Sequence, residues 1–112
     1  MITGAHSIIY SKDPEADRAF VKDVLQLKSV DLGEGWLIFG IPSSELAFHP
    51  SDSNDVHEFY FVCDSIIEFV GRLREEKVPF KPIEELSWGK LVKLRLPGGG
   101  ELGVYEPSHL RP

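Results

Sequence analysis

A repeated pattern of residue types constrains this chain more than any other feature. Segment 6–13 begins with histidine and ends with aspartate, and segment 57–64 does the same 51 residues later. Both enclose a run of β-branched and aromatic residues, which predicts a strand. In both, the aspartate precedes an apolar stripe with helical spacing. Within a chain of 112 residues, this repeat indicates two copies of one supersecondary unit.

Strand-like, helix-like and turn-like stretches extend the repeat to two βαβββ modules. Residues 1–50 form the first module and residues 56–107 the second, joined by a polar connector, and residues 1–112 are predicted to be one domain. The first module is predicted to contain a helix at 13–26 and strands at 5–11, 28–32, 36–41 and 45–49. The second is predicted to contain a helix at 64–76, strands at 57–63, 88–96 and 101–105, an extended segment at 80–83 and a loop at 84–87.

The two modules together predict an α+β fold, a half-open curved sheet with the helices on its convex face. Neither module alone would bury its sheet face well. Because side chains alternate across a strand, the last strand of each module divides into a helix-facing and a cavity-facing set. The helix-facing set is Leu46, Phe48, Leu102 and Val104, and the cavity-facing set is Glu45, Ala47, His49, Glu101, Gly103 and Tyr105.

Local signals predict where the helices and one turn begin. Asp13 before Pro14 is typical of an N-cap followed by proline at the first helical position, and Asp64 predicts the N-cap of the second helix. The glycine-rich run 97–100 precedes a strand and not a helix, so it predicts a hairpin turn and not a phosphate loop. Cys63 ends an apolar strand and is predicted to be a buried small hydrophobe.

The balance of charge excludes several classes of partner. The chain carries 18 acidic and 12 basic residues, a net charge of −6, and shows no cluster of lysine and arginine along the sequence. Nucleic acid and anionic membrane surfaces both require a basic face, so we expect neither as a partner. With one cysteine and no apolar run of about 20 residues, the chain is expected to be soluble and cytoplasmic.

These motifs resemble the vicinal oxygen chelate (VOC) superfamily, which includes glyoxalase I, bleomycin-resistance proteins and extradiol dioxygenases. The resemblance rests on segments 6–13 and 57–64, each with its helix, and on residues 95–107, which look like the closing turn and strand of the family. It covers nearly the whole chain and implies a small, single-domain glyoxalase-like protein. It also implies a homodimer whose cavity is built from both chains.

The resemblance implies a metal site, but only half of the ligands match. In metal-using members each module supplies a histidine from its first strand and a carboxylate from its fourth. The histidine positions match His6 and His57, which implies a divalent ion such as Zn, Ni, Fe or Mn. The carboxylate positions fall on Ala47 and Gly103, neither of which can bind a metal. The alternative is that the two histidines are polar wall residues that hold a substrate or water by hydrogen bond.

Other predicted cavity-facing side chains are candidates to replace the missing carboxylates. By strand alternation, the side chains of Glu101, Glu45 and His49 face the same side of the sheet as positions 47 and 103, where the carboxylates are missing. Beside a bound metal, which would stabilise negative charge on a substrate oxygen, a carboxylate would move the proton. Glu101 is the first candidate for this catalytic role and Glu45 is the second. Two histidines without a complete ligand set leave open whether the protein is an enzyme.

Aromatic side chains offer an alternative that needs no metal. Trp36, Phe59, Trp88 and Tyr105, together with His49, are predicted to contact a ligand. Aromatic walls with few polar groups suit a planar organic molecule. Each aromatic residue taken singly is as well explained as part of the core.

The sequence therefore predicts a glyoxalase/bleomycin-resistance/dioxygenase-type protein that binds a small organic molecule in the cavity of its sheet. The alternative is a metal-dependent lyase or dioxygenase that chelates vicinal oxygens of its substrate. A third possibility is a structural or partner-binding module. The presence of two equivalent histidines in an open cleft argues against it.

Overall fold

The computed structural model describes residues 6–111, which contain two α-helices and two sheets with six strands in all. The predicted α+β class and the open, unclosed sheet are confirmed. In chain order the elements are α1 (Pro14–Asp23), β1 (Ser29–Asp31), β2 (Leu37–Phe39), β3 (Tyr60–Val62), α2 (Ile66–Glu75), β4 (Glu84–Leu86), β5 (Gly89–Arg95) and β6 (Glu101–Pro107). No helix within residues 6–111 combines the length and apolar character that crossing a bilayer requires.

The second module forms a four-stranded sheet in the order β3-β6-β5-β4. β3 runs parallel to β6, and the other neighbours are antiparallel. The sequence predicted a loop at 84–87, but Glu84–Leu86 pairs with the start of β5 as β4. All three β4 residues are exposed. Glutamate is depleted in strands, so the pairing, and not residue preference, makes this short edge strand.

The core lies between the helices and one face of this sheet. Ile66 and Leu73 of α2 are fully buried against Val92 and Leu94 of β5. Leu102 and Val104 of β6 are buried in the same cluster, which confirms that they face the helices. Phe20 of α1 joins this cluster from the first module. The opposite face of the sheet, on which Gly103 and Tyr105 lie by alternation, is called the open face below.

The first helix begins as the sequence predicts. Asp13 is its N-cap, Oδ1 of which accepts a hydrogen bond from the Ala16 amide at 3.1 Å, and Pro14 is the first helical residue. This cap satisfies one of the free amides of the first turn.

The predicted cap of the second helix is wrong by one residue. Ser65, and not Asp64, caps α2, with its Oγ accepting a hydrogen bond from the Glu68 amide at 3.2 Å. The Ile66 amide donates to Oε1 of Glu106 at 2.9 Å. A side chain 40 residues away in sequence thus supplies an acceptor that local sequence could not reveal.

The first module is less complete than its repeat predicts. β1 and β2 form an antiparallel pair, but segments 6–11 and 45–49 have no strand partner in the described chain and form no strand. Leu46 and Phe48 were expected to face the helices, yet they are 82% and 90% exposed. That expectation is wrong because alternation assigns a buried face only to a strand that is held in a sheet.

A hydrogen-bonded contact joins the two modules. Oδ1 of Asp17 on α1 accepts from the Gly98 amide at 2.8 Å, and Oδ2 accepts from the Ser11 hydroxyl at 2.6 Å. Gly98 belongs to the glycine-rich turn, where the amide of Leu96 bonds to the Gly100 carbonyl at 2.8 Å, so the predicted hairpin is confirmed. A Cβ on Gly98 would lie 2.6 Å from Oγ of Ser11, so a larger residue there would push the Ser11 and Asp17 side chains aside.

Candidate ligand-binding site

Three aromatic rings meet on the open face of the four-stranded sheet. The ring centroids of Trp88 and Tyr105 are 5.1 Å apart at an interplanar angle of 80°. Tyr60 lies 6.0 Å from Tyr105 and 6.3 Å from Trp88. These separations fall within the range of favourable edge-to-face contacts. We call Tyr60, Trp88 and Tyr105 the aromatic cluster.

Strand alternation explains why the cluster forms. Tyr105 follows the buried Val104 in β6, so its side chain lies on the open face. Its neighbour across the ladder is Leu91 of β5, which is 3% exposed. Trp88 ends the turn before β5 and packs against Tyr105. The sheet therefore presents an aromatic surface on the side away from the core.

Tyr60 occupies the space next to Gly103, its partner in the β3–β6 ladder. A Cβ added to Gly103 would lie 2.7 Å from Cε1 of the Tyr60 ring. The position at which the resemblance places a metal-binding carboxylate is therefore covered by a phenol ring. Tyr60 is not among the ligand contacts predicted from the sequence, although a glycine between the apolar residues of the last strand is a signal that a side chain packs there.

The two tyrosines are neutral hydrogen-bonding groups at physiological pH. Burial, the hydrogen bond to Glu58 and nearby negative charge raise the pKa of Tyr60 to about 12. The Tyr60 hydroxyl donates to Oε2 of Glu58 at 2.8 Å. Burial, and then the charge of Glu45, raises the pKa of Tyr105. The cluster thus combines apolar rings with hydroxyl groups that keep their protons.

The C-terminal segment and the 45–49 segment border the cluster. The His109 ring lies 6.2 Å from the Tyr105 ring, and its Nε2 is 3.4 Å from the Tyr105 hydroxyl. Nε of Arg111 donates to Oε1 of Glu45 at 2.9 Å. This ion pair connects the end of the chain to the first module beside Tyr105.

The other predicted ligand contacts lie in different surroundings. Trp36 is 60% exposed, and the guanidinium of Arg18 lies 4.5 Å from its ring centroid. Phe59 packs against the core and makes an edge contact of 5.1 Å with Phe61. His49 is exposed in the unpaired 45–49 segment. The structure thus brings together Trp88 and Tyr105 of the predicted set, and the ligand-binding roles of all five stay predictions.

The described residues do not fit the metal site that the resemblance implies. His6 and His57 are both exposed and lie outside the helices and strands. Across residues 6–111, no group of three or more His, Cys, Asp or Glu side chains is arranged to hold a metal ion. Ala47 offers no ligand atom, and Tyr60 covers Gly103. We therefore derive no reaction step through a metal.

Glu101, the predicted catalytic carboxylate, is held by a lysine. Nζ of Lys81 lies 2.7 Å from Oε2 of Glu101, and this hydrogen bond lowers the pKa of the carboxyl group. A lowered pKa makes a carboxylate a weaker base. Along β6, Glu101 lies four residues from Tyr105, roughly 13 Å at the usual rise of a strand. Its proton-transfer role stays a prediction.

Two cavities lie at the ends of the sheet. One of about 470 Å³ is lined by Val62, Cys63, Asp64, Glu106, Pro107 and Arg111. The other, of about 140 Å³, is lined by Pro79, Phe80, Lys81, Lys93, Leu94, Arg95 and Glu101. The first lies beside the α2 N-terminus, where Glu106 already accepts the Ile66 amide. The second borders the open face and is markedly basic.

Comparison with solved structures reveals the same fold in several proteins. A lactoylglutathione lyase from Agrobacterium tumefaciens is 22% identical, with a TM-score of 0.64 over 88% of each chain. TnmS3, an antibiotic-binding protein from Streptomyces sp. CB03234, is 16% identical, with a TM-score of 0.65 over 93% of this chain and all of its own. The fosfomycin-resistance protein FosX from Listeria monocytogenes is 16% identical, with a TM-score of 0.60 over 96% of each chain.

No protein-family model matches the sequence, and no curated protein sequence matches it significantly. At these low identities the structural similarity establishes the fold and leaves the activity open. The fold predicted from the repeated histidine-to-aspartate segments and the closing glycine turn is confirmed. This chain has the glyoxalase-like fold of the vicinal oxygen chelate proteins.

Proposed function

We propose that this protein is a non-catalytic VOC-type protein that binds a planar organic molecule against the aromatic cluster. The observation that carries the proposal is the meeting of Tyr60, Trp88 and Tyr105 on the sheet face opposite the core. Three rings that contact one another and are only partly buried leave apolar area for a ligand to cover. The similarity of fold to an antibiotic-binding protein supports binding as a function of this fold.

The chemistry of the cluster defines the ligand class. Aromatic contacts contribute about 0.5–1.5 kcal/mol each beyond the apolar area that they bury, so two or three rings favour a planar ligand. The Tyr60 and Tyr105 hydroxyls are protonated at neutral pH, since the ordinary pKa of tyrosine is 10.0 and burial raises the pKa of both further. They provide a few oriented polar groups beside an apolar surface, which is the usual composition of a small-molecule site.

A neutral two-ring compound tests the proposal directly. We expect 2-naphthamide to bind in isothermal titration, and Trp88→Ala to weaken its binding about tenfold, equivalent to roughly 1.4 kcal/mol. Trp36→Ala is the comparison, since Trp36 lies on the β1–β2 hairpin under Arg18. If the aromatic cluster alone holds the ligand, the loss of Trp36 leaves the affinity unchanged. Equal effects of the two substitutions, or no binding to the wild type, would contradict the proposal.

The protein also functions as a homodimer in this proposal. The second module has all four strands paired, whereas segments 6–11 and 45–49 of the first module have no partner in the described chain. Exposed apolar side chains mark these segments. The radius of gyration is 14.9 Å, against about 13 Å for a compact domain of this length. A second copy of the chain, related by a twofold axis, would cover both segments.

Light scattering after gel filtration tests the homodimer. We expect wild-type protein to elute with twice the 12.6 kDa chain mass, and Phe48→Asp to shift it towards one chain mass because a charge opposes apolar burial. Ile67→Asp is the control, since Ile67 is also exposed but lies on α2. A wild type that remains a monomer at every concentration would overturn this part of the proposal.

A further inference from the structure

A row of side chains crosses the open face next to the aromatic cluster. Lys93 of β5 pairs with Gly103 of β6, and Gly103 pairs with Tyr60 of β3. On the other side of β5, the Lys81 amide donates to the Lys93 carbonyl at 2.9 Å. Neighbouring strands lie about 4.8 Å apart. Lys81, Lys93, Gly103 and Tyr60 are therefore consecutive neighbours across the sheet.

The lysine end of this row is positively charged, whereas the protein as a whole is negatively charged. Lys81, Lys93 and Arg95 line the same cavity of about 140 Å³. Glu101 is the only carboxylate among the residues that line it. In a chain with a net charge of −6, three cations and one anion at a single cavity form a local site of positive charge, which attracts anions.

Within this cationic group, Lys93 is the side chain available to a ligand. Lys81 is engaged by Glu101 at 2.7 Å, and Nη1 of Arg95 donates to the Gly99 carbonyl at 3.3 Å. Lys93 is half-buried and, over residues 6–111, its ammonium has no carboxylate within 4 Å. Opposite Lys93, Gly103 has no side chain and the Tyr60 ring fills that space, so Lys93 and the ring are neighbours.

Lys93 and the aromatic cluster are close enough for one small molecule to contact both. Tyr105 lies two residues from Gly103 along β6, roughly 7 Å at the usual rise of a strand. Tyr60 lies immediately beside Gly103. A two-ring ligand against Tyr60 and Tyr105 would therefore bring a substituent on one end to Lys93.

Carboxylates also lie near the cluster, and by strand register Glu84 of β4 stands opposite Leu91, two residues from Lys93. Glu58 accepts the Tyr60 hydroxyl hydrogen bond, and Glu84 acts on Tyr60 through its charge. Glu45 acts on Tyr105 in the same way and is paired with Arg111. Glu45 and Glu101 are each paired with a cation, which lessens their repulsion of an anionic substituent near Lys93.

From this arrangement we infer that Lys93, supported by the positive charge of Lys81 and Arg95, is the subsite for a carboxylate or similar anionic group on the planar ligand. The inference rests on the proposed function and narrows its ligand class to aromatic acids. The aromatic cluster holds the rings, and Lys93 forms a charge-assisted hydrogen bond with the acid.

A pair of isosteric ligands and a pair of matched variants test the subsite. We expect 2-naphthoate to bind the wild type about tenfold more tightly than the neutral 2-naphthamide, and Lys93→Met to remove this advantage while leaving the amide affinity unchanged. Lys90→Met is the control, because it removes the same charge from β5 on the opposite face by alternation. Lys93→Arg keeps the positive charge, so this variant should retain most of the preference for naphthoate. That result would show that position 93 tolerates substitution.

The possible results separate the subsite from the proposed function. If naphthamide binding depends on Trp88 but naphthoate binds no better, the subsite is overturned and the proposed function stands. If Lys93→Met weakens naphthoate binding while Trp88→Ala does not, the anion subsite stands and the aromatic site fails. Equal losses in Lys93→Met and Lys90→Met overturn the subsite, because they reflect overall charge. Binding of neither compound overturns both.

Discussion

The Tyr60 ring lies over Gly103, so closely that a Cβ at residue 103 would stand 2.7 Å from Cε1 of the ring. This contact places a phenol at the position to which the resemblance assigns a fourth-strand carboxylate. Tyr60 and Gly103 are also the first two members of the row of neighbouring side chains that continues with Lys93 and Lys81, beside the cavity of about 140 Å³. The absence of a side chain at Gly103 therefore shapes the aromatic cluster and the proposed anion subsite together.

We predict that Gly103→Ala destabilises the fold by about 1–3 kcal/mol, the usual cost of overpacking, because the new methyl group displaces the Tyr60 ring. The free energy of unfolding in urea measures the effect. Gly100→Ala is the control, since a Cβ there meets no heavy atom within 4 Å. Tyr60→Ala should cost less free energy of unfolding in the Gly103→Ala background than in the wild type, and purely additive effects of the two substitutions would refute this explanation.

The sequence predicted the second module better than the first because periodic burial and pairing coincide there. Alternation in β6 correctly assigned Leu102 and Val104 to the core. The same argument failed for Leu46 and Phe48, because their segment has no neighbouring strand in the described chain. Periodicity states which side chains share a face, and it does not state whether a partner strand is present.

The candidate site was only partly predictable. The sequence placed Trp88 next to a turn and Tyr105 at a cavity-facing position of the last strand. The role of Tyr60 depends on the register with Gly103, and the basic row depends on the pairing of Lys81 with Lys93. Such relationships join residues from 12 to 43 positions apart, and strand register is a tertiary property that single-sequence patterns leave undetermined.

The Asp17 contact predicts coupling between the two modules. Asp17→Asn removes the charge that strengthens hydrogen bonds from the Gly98 amide and the Ser11 hydroxyl. We expect a loss of about 1–2 kcal/mol in the free energy of unfolding. Glu15→Gln is the control, because it removes a charge from the first turn of the same helix without touching the second module.

Hydrogen exchange locates the Asp17 effect. Loss of protection at the Gly98 amide in Asp17→Asn, absent in Glu15→Gln, would identify the contact as the cause. If both variants lose equal stability, the contribution of Asp17 comes from the helix dipole and not from the link between modules.

The raised pKa of Tyr60 predicts that the folded protein loses stability at alkaline pH. Burial, followed by the hydrogen bond to Glu58, raises its pKa from 10.0 to about 12. A pKa that is higher in the folded state means that folding favours the neutral phenol. This contribution is complete below pH 10 and is lost as pH rises to about 12. Tyr60→Phe should remove that part of the pH dependence and the latest step in tyrosinate absorbance.

A second variant separates the causes of the raised Tyr60 pKa. Glu58→Gln should lower the pKa only part of the way towards its ordinary value, because burial is the larger cause and remains. Glu68→Gln, on α2, should leave the absorbance titration unchanged. A full return to ordinary behaviour in Glu58→Gln would mean that charge, and not burial, dominates.

Cys63 should react slowly with disulfide reagents in the folded protein. Burial, followed by the charges of Glu106 and Asp64, raises the pKa of its thiol from 9.0 to about 11. Since the thiolate is the reactive form, a two-unit difference predicts about 100-fold less thiolate at pH 8 than in the unfolded chain. Labelling rates with and without denaturant measure this ratio. Asp64→Asn should speed labelling moderately, Asp52→Asn should not, and equal rates in the folded and unfolded protein would contradict the prediction.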